Sequence, residues 1–469
     1  MIFPNLLRID RVRKMKNRIY KRALLLAIPM MIQNGITNMV TLVDNVMVGS
    51  LGTEAMTGVS IVGQLFFVLS LAVFGGLSGP GIYGAQYYGQ KNIEGLRNTF
   101  RLKLWISLFC VVVGLIVFTT MGTTLIQLYL KGESGGIDSA KTLEYGLEYM
   151  EIMLLTIPPF ALIQTYASTL RETGDSMRPM VAGIISVVVD VVMNYILIFG
   201  KFGMPAFGVR GAAMATVIAR FTEMFVVVVW AHKRKDIHTF LHGVYRTRLV
   251  PVCVAKHVIR KGIPIFLNEF LWAGGLAVLA QCYSVRGLEI VAGMNISNAI
   301  CNMLNVVFVS LGSAVGILSG QMLGAGKYQQ AKKDANSLMW FSGAVCLVLT
   351  AILIAVSGAF PRLYDTTEQV RYYGKWFIII TALFFPVQGL LNSLYFTLRS
   401  GGKTLITFLF DSVYSWVVAV TLAWCLCNLT AMPILWIYVI VSSADIIKIV
   451  VGYIMIQKGI WVSNIVDQI

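Results

Sequence analysis

Four side chains in otherwise apolar stretches carry oxygen atoms suited to a hard cation or a proton: Asp44, Asp190, Asn194 and Thr216. Asp190 and Asn194 are spaced i, i+4, which puts them on one face of a helix. Carboxylate, amide and hydroxyl oxygens form a set that can hold Na⁺, and the same carboxylates can bind a proton where burial disfavours their charge. A second group comes later in the chain: Glu269, Asp411, Asp445 and Lys448. Asp445 and Lys448 are i, i+3 neighbours, and together with Asp411 they read as a neutralising network. Glu269 has only Arg260 and Lys261 as basic residues in its own apolar stretch, two turns or more away, and is the better candidate for a proton or cationic-substrate site. Purely structural roles compete: Asp44 as an interfacial cap, and Asp190 as the partner of Arg220, which could instead pair with Glu223 at i, i+3.

Such charges are informative because of what surrounds them. Of the 469 residues 57% are hydrophobic and 13% charged, a composition that places the chain in a membrane. A bilayer core needs roughly 20 apolar residues per helical span. Twelve stretches qualify: 23–47, 57–85, 102–128, 147–170, 179–200 and 208–231 in the first half, then 257–283, 289–318, 336–359, 372–398, 404–427 and 433–457. The expected fold is an all-α membrane protein of twelve transmembrane helices in two six-helix bundles. The expected division is a lobe over 1–231, a cytoplasmic linker over 232–256 and a lobe over 257–469.

The net charge of +16 does not call for a nucleic-acid partner, because the basic residues alternate by loop. Arg8, Arg11, Arg13, Lys14, Lys16, Arg18, Lys21 and Arg22 precede the first span, and Lys91, Arg97, Arg101, Lys103, Arg171, Arg178, the 232–256 linker with Arg248, and Arg399 fall on the same side. The opposite side holds Lys131, Lys141, Lys201, Arg210, Arg286, Arg362, Arg371 and Lys375. Both termini are therefore expected in the cytoplasm, with the chain multi-pass in the plasma or inner membrane beside anionic headgroups. The seven cysteines show no disulfide or zinc spacing and read as small apolar residues. His232, His238, His242 and His257 cluster around the linker and read as solvated loop residues.

The two halves repeat. A shift of 235 residues matches Ile28-Pro29 with Ile263-Pro264, Gln86 with Gln321, Gly89 with Gly324 and Trp105 with Trp340. A shift of 228 matches Pro158 with Pro386 and Thr169-Leu170-Arg171 with Thr397-Leu398-Arg399. Six helices per copy is an even number, so the copies should be parallel repeats about a pseudo-two-fold axis along the membrane normal, with a cavity between them.

Leu42-Val43-Asp44-Asn45-Val46-Met47-Val48-Gly49, the runs Asn194 to Gly200 and Gly208 to Thr216, and Gly262-Ile263-Pro264-Ile265 resemble the multidrug and toxic compound extrusion (MATE) family, bacterial type, over nearly the whole chain. The resemblance implies a secondary antiporter that exports organic, often cationic, compounds in exchange for Na⁺ or H⁺ by alternating access. It also implies that Asp44, Asp190, Asn194 and Thr216 form the N-lobe cation site. Where some members have Asn and then Asp on the fifth span, this chain has Asp190 and then Asn194. Members with a C-lobe site carry Glu and Asp where this chain has Trp272 and Gln388, so the resemblance does not extend to a C-lobe coupling site, and Glu269, Asp411 and Lys448 stand as a proton or substrate candidate on their own charges alone.

Pro29 and Pro264 can bend their helices, and Pro29 shares a helix with Asp44. Met30, Met31, Gln33, Met39, Gln64, Asn268 and Trp272 are candidate cavity residues, since Met and aromatic surfaces adapt to varied apolar cations. Gly79-Pro80-Gly81-Ile82-Tyr83-Gly84 fits a dinucleotide-binding pattern, but it lies in an apolar helix without a preceding strand and reads as a site of close helix packing. The expected partners are small organic molecules and lipid, with no cofactor beyond the coupling ion, no enzymatic activity and a monomeric state. A lipid-linked-precursor flippase is the alternative. A membrane-embedded transferase would need an Asp-Asp-x-x-Asp run, which the chain lacks, and a channel would show passive conductance instead of saturable exchange.

Overall fold

The computed structural model describes residues 3–130, 138–247 and 249–468, so Lys131 and Arg248 lie outside the described residues. Among the described residues twelve helices are long and apolar enough to cross a membrane. They are α1 (Phe3–Gly49), α2 (Thr53–Gln90), α3 (Ile93–Leu130), α4 (Ser139–Glu172, tightened to 3₁₀ at Leu154–Thr156), α5 (Met177–Phe199) and α6 (Gly208–Lys233). Then come α7 (Val252–Ser284), α8 (Leu288–Gly324), α9 (Tyr328–Val356), α10 (Glu368–Ser400), α11 (Thr404–Leu429) and α12 (Ile434–Gln457).

Several helices outrun their expected spans. The helix of Asp44 starts at Phe3 instead of at 23, because the basic segment before it has no glycine or proline between Asn5 and Ile28 and is rich in good helix formers. Proline 29 sits inside the continuous helix, as Pro264 does in α7. Polar termini are capped locally: Asp138 Oδ1 accepts from the backbone N–H groups of Ala140 (3.0 Å) and Lys141 (3.3 Å) at the start of α4. One irregularity had no sequence signal. Within α11 the segments Leu409–Val413 and Ser415–Val420 are π-helical.

The chain forms two compact units, one of Met1–Met31, Ala85–Asn92 and His257–Ile469, the other of Ile32–Gly84 and Ile93–Lys256. Along α1 the unit changes between Met31 and Ile32, just past Pro29.

In the Ile32–Lys256 unit, an apolar core gathers around Val62, Ile126 and Ala213, and separately the inter-lobe segment packs on α3, with Phe240 against Phe100 at 5.4 Å between ring centroids. Phe240, Leu241 and Val244 are buried, and Arg101 Nε donates to the Val244 carbonyl at 2.8 Å. His238 is therefore not a solvated loop residue: it is 2% exposed and its Nε2 accepts from Arg178 Nη1 at 2.9 Å. Burial, reinforced by the Arg178 charge and opposed by Asp236, holds its pKa down to about 4. Lys103, assigned by sequence to a headgroup-facing cluster, is likewise fully buried. Its Nζ reaches both carboxylate oxygens of Glu172 (2.6 and 2.7 Å), Thr169 Oγ1 (2.9 Å) and Ser168 Oγ (3.1 Å). Gly81 and Gly84 make room for that carboxylate, which a Cβ at either position would strike, so the glycine pattern on α2 accommodates a charge as well as a helix contact.

In the other unit, Ala27, Leu311, Leu338 and Leu394 share a core with Trp461, which follows α12 and is fully buried. Gln86 ties this tail down: Nε2 donates to the carbonyls of Ser400 (2.8 Å) and Ser463 (3.2 Å), and Oε1 accepts from Ile465 N at 2.9 Å. The repeat-matched pair Gly89 and Gly324 meet reciprocally. A Cβ on Gly89 would collide with the Gln321 carbonyl, and one on Gly324 with the Gln86 carbonyl. The shared glycines of the two halves thus mark a backbone-to-backbone contact.

Candidate cation site in the first half

The inward stripe of α5 runs Ala182, Gly183, Ser186, Asp190, Asn194 and Leu197, so the i, i+4 spacing of the acid and amide carries both into the interior. Ala212, Ala213, Ala215 and Ala219 line the facing side of α6, and their small side chains let the helices approach closely; Ser186 Oγ donates to the Ala219 carbonyl at 2.9 Å. From α1, Asp44 meets this pair: Asn194 Nδ2 donates to Asp44 Oδ1 at 2.8 Å. The Asp44 and Asp190 carboxyl groups lie close enough to act on one another, and Thr216 of α6 lies beside Asp190. All four residues singled out for a hard-cation set are therefore brought together.

Two oxygens in this cluster, Asp190 Oδ1 and Asn194 Oδ1, are buried without a hydrogen-bond partner. Asp190 is 6% exposed and Asn194 1%. Two carboxyl groups in contact need one proton or one cation between them, because both cannot stay ionised side by side in a poorly solvated site. Tyr149 of α4, absent from the sequence expectation, lies beside Thr216, Asp44 and Asp190 and adds a buried hydroxyl to the group. No local pattern marks it; it is one of several tyrosines on α4, and only the fold selects it.

Arg220 resolves in favour of its own helix, with Nη1 at 3.0 Å from Glu223 Oε2.

The C-terminal candidates form a wider network. Lys448 Nζ lies 3.2 Å from Asp445 Oδ1, 3.7 Å from Asp411 Oδ1 and 3.1 Å from Ser415 Oγ. Asn268 Nδ2 donates to Asp411 Oδ2 (3.0 Å), Ser412 Oγ donates to Asn268 Oδ1 (2.7 Å), and Gln388 Nε2 donates to Asp445 Oδ2 (2.8 Å). The π-helical turns of α11 carry Asp411, Ser412 and Ser415 into this network. Glu269 has a counter-ion after all: Arg399 of α10, at 3.9 Å. Arg399 is 6% exposed, so it is not the headgroup-facing residue its loop position suggested.

The cavity candidates scatter in environment. Met30 is packed in the core and Asn268 is buried within the polar network, whereas Met39 (55%) and Trp272 (41%) are exposed. Gln33 Oε1 accepts from Arg171 Nη2 at 2.8 Å; Met31 is half-buried and Gln64 exposed.

Twelve apolar helices define a multi-pass membrane protein, and within one of its units lies an acid pair beside buried oxygens that lack hydrogen-bond partners. The MatE family model matches residues 29–196 and 264–425, and the chain belongs to that family. The two matches start 235 residues apart, the offset at which the halves align. The chain is 26% identical to the "Probable multidrug resistance protein YoeA" of Bacillus subtilis over 94% of both proteins. It is 24% identical to the "Probable multidrug resistance protein NorM" of Thermotoga maritima, over 98% of this chain and 96% of that one. Among solved structures, the Vibrio cholerae MATE transporter VcmN superimposes with a TM-score of 0.84 at 15% identity, covering 95% of this chain and 97% of the other.

Proposed function

We propose that the protein is a secondary active antiporter that exports organic, often cationic, compounds in exchange for Na⁺ or H⁺. The observation that carries this reading is the gathering of Asp44, Asp190 and Asn194, tied by the Asn194–Asp44 hydrogen bond and holding the donor-free Oδ1 atoms of Asp190 and Asn194. Such a cluster gains from one monovalent positive charge and is poorly satisfied without it. The relatives' names, which speak of multidrug resistance, support organic compounds as the exported class.

In this reading alternating access uses the continuity of α1. The helix belongs to one unit up to Met31 and to the other from Ile32, and Pro29 at this junction lacks the N–H that would stiffen it. A cation arriving at Asp44 acts on the same helix that joins the units, so binding and bending are mechanically linked. Pro264 is its repeat counterpart within α7. In the second half, Glu269, Asp411 and Lys448 are a further proton or substrate site in this reading. The orientation with both termini in the cytoplasm rests on the basic-residue bias.

The test is efflux of a fluorescent organic cation such as ethidium from proteoliposomes, with Na⁺ and H⁺ gradients imposed separately. One gradient should drive efflux in the wild type, and Glu269→Gln should show whether the second site contributes. Efflux that ignores both gradients would contradict antiport.

A further inference from the structure

Next to the acid pair stands a fixed positive charge. Arg220 follows Thr216 by four residues on α6 and so shares its face, donates from Nη1 to Glu223 Oε2 at 3.0 Å, and holds its guanidinium 5.7 Å from the Phe160 ring centroid; its charge also acts on both Asp44 and Asp190. The two partners differ in freedom: the Arg220 side chain is 33% exposed and that of Glu223 5%. Among the described residues its ion pair is with Glu223 and with neither aspartate, yet a guanidinium has five donors and a long stem.

Glu223 does not depend on Arg220 alone. The charge of Arg171, on α4, acts on it as well. Arg220 can therefore turn away without leaving a buried carboxylate uncompensated, a condition that most buried ion pairs fail. With both aspartates ionised and Glu172 neutralised by Lys103, Asp44, Asp190 and Glu223 face Arg171 and Arg220, which leaves the group one positive charge short. A monovalent cation at the aspartates supplies it. When that cation leaves, Arg220, one turn from Thr216 on α6, is a charge able to take its place.

We propose that Arg220 is a tethered internal cation that competes with the transported monovalent cation for the Asp44–Asp190 pair, with Glu223 as its resting partner while that cation is bound. The inference rests on the reading of the acid pair as the coupling site. It makes Arg220 a specificity-determining residue: the stronger its hold on the aspartates, the weaker the binding of any external cation. Glu223 works in the opposite direction by drawing Arg220 off.

The two residues therefore predict shifts of opposite sign. Na⁺ titration of the purified full-length chain by isothermal calorimetry at fixed pH is the measurement. Arg220→Gln should tighten Na⁺ binding about tenfold or more, or reveal binding where the wild type shows none. Glu223→Gln should weaken it, Arg220→Lys should behave as the wild type, and Arg220→Gln with Glu223→Gln should follow Arg220→Gln. Shifts in the same direction, or no shift in either single variant, overturn the proposal, and Glu223→Gln decides it alone if Arg220→Gln does not fold. Adding Asp190→Asn to Arg220→Gln should abolish the gain. If the gain persists, the acid pair is not the cation site; if binding requires Asp190 but ignores Arg220 and Glu223, only the role of Arg220 falls.

Discussion

Asn194 donates to Asp44 across 150 residues of sequence, so one amide ties α5 to the helix that joins the two units. Asn194→Leu leaves Asp44 Oδ1 without that donor and removes one of the two unsatisfied oxygens. The expected cost is about 1–3 kcal/mol. It should appear as a lower melting temperature in detergent together with weaker dependence of transport on the coupling ion. An unchanged melting curve would show that the bond contributes nothing.

The Lys103–Glu172 pair is sealed from solvent, with 0% and 7% side-chain exposure. Lys103→Met removes the ammonium that meets both oxygens of the buried carboxylate and should destabilise the protein by about 3–5 kcal/mol. Pairing it with Glu172→Leu should recover most of that loss, since a buried ion pair gains little over a packed apolar one. Chemical unfolding of the two variants side by side separates these outcomes. Equal loss in single and double variants would mean that the pair does more than neutralise itself.

Gly89 and Gly324 leave no room for a side chain, whereas a Cβ on Gly35 meets nothing within 4 Å. Gly89→Ala or Gly324→Ala should therefore lower folding yield and melting temperature, because backbone is what gives way. Gly35→Ala, in the middle of α1, should be neutral or stabilising by up to ~1 kcal/mol through helix propensity. Similar behaviour of all three variants would contradict the close contact.

His238 binds its proton less well folded than unfolded, with a pKa of about 4 against an ordinary 6.5. Between these values the unfolded chain holds more protons, so stability should rise with pH across that window and be lost as pH falls from 6.5 toward 4. His238→Gln should flatten the melting temperature over this range. A wild-type profile in the variant would place the titrating group elsewhere.

The scaffold is legible in residue order because bilayer thickness dictates span length and because duplication leaves Gly89 opposite Gly324 and Pro29 opposite Pro264. The candidate site is legible to the extent that its members share a helix: Asp190 and Asn194 declare a common face by spacing alone. Partnerships between distant helices are not. Arg399 for Glu269, Glu172 for Lys103 and Tyr149 beside Thr216 depend on which helix faces lie against each other, and periodicity does not specify that. The burial of His238 was hidden for a related reason, since a polar loop sequence does not reveal that Phe240 and Val244 anchor it.

The central claim, that the Asp44–Asp190 pair couples cation entry to substrate exit, is tested most directly by recording both fluxes in one vesicle preparation. Proteoliposomes loaded with an organic cation and a pH-sensitive dye, or assayed with radioactive Na⁺, should show counter-ion uptake that rises and falls with efflux in the wild type. Asp190→Asn and Asp44→Asn should abolish the counter-flux and with it gradient-driven efflux. Undiminished, gradient-driven exchange in both variants would contradict the account.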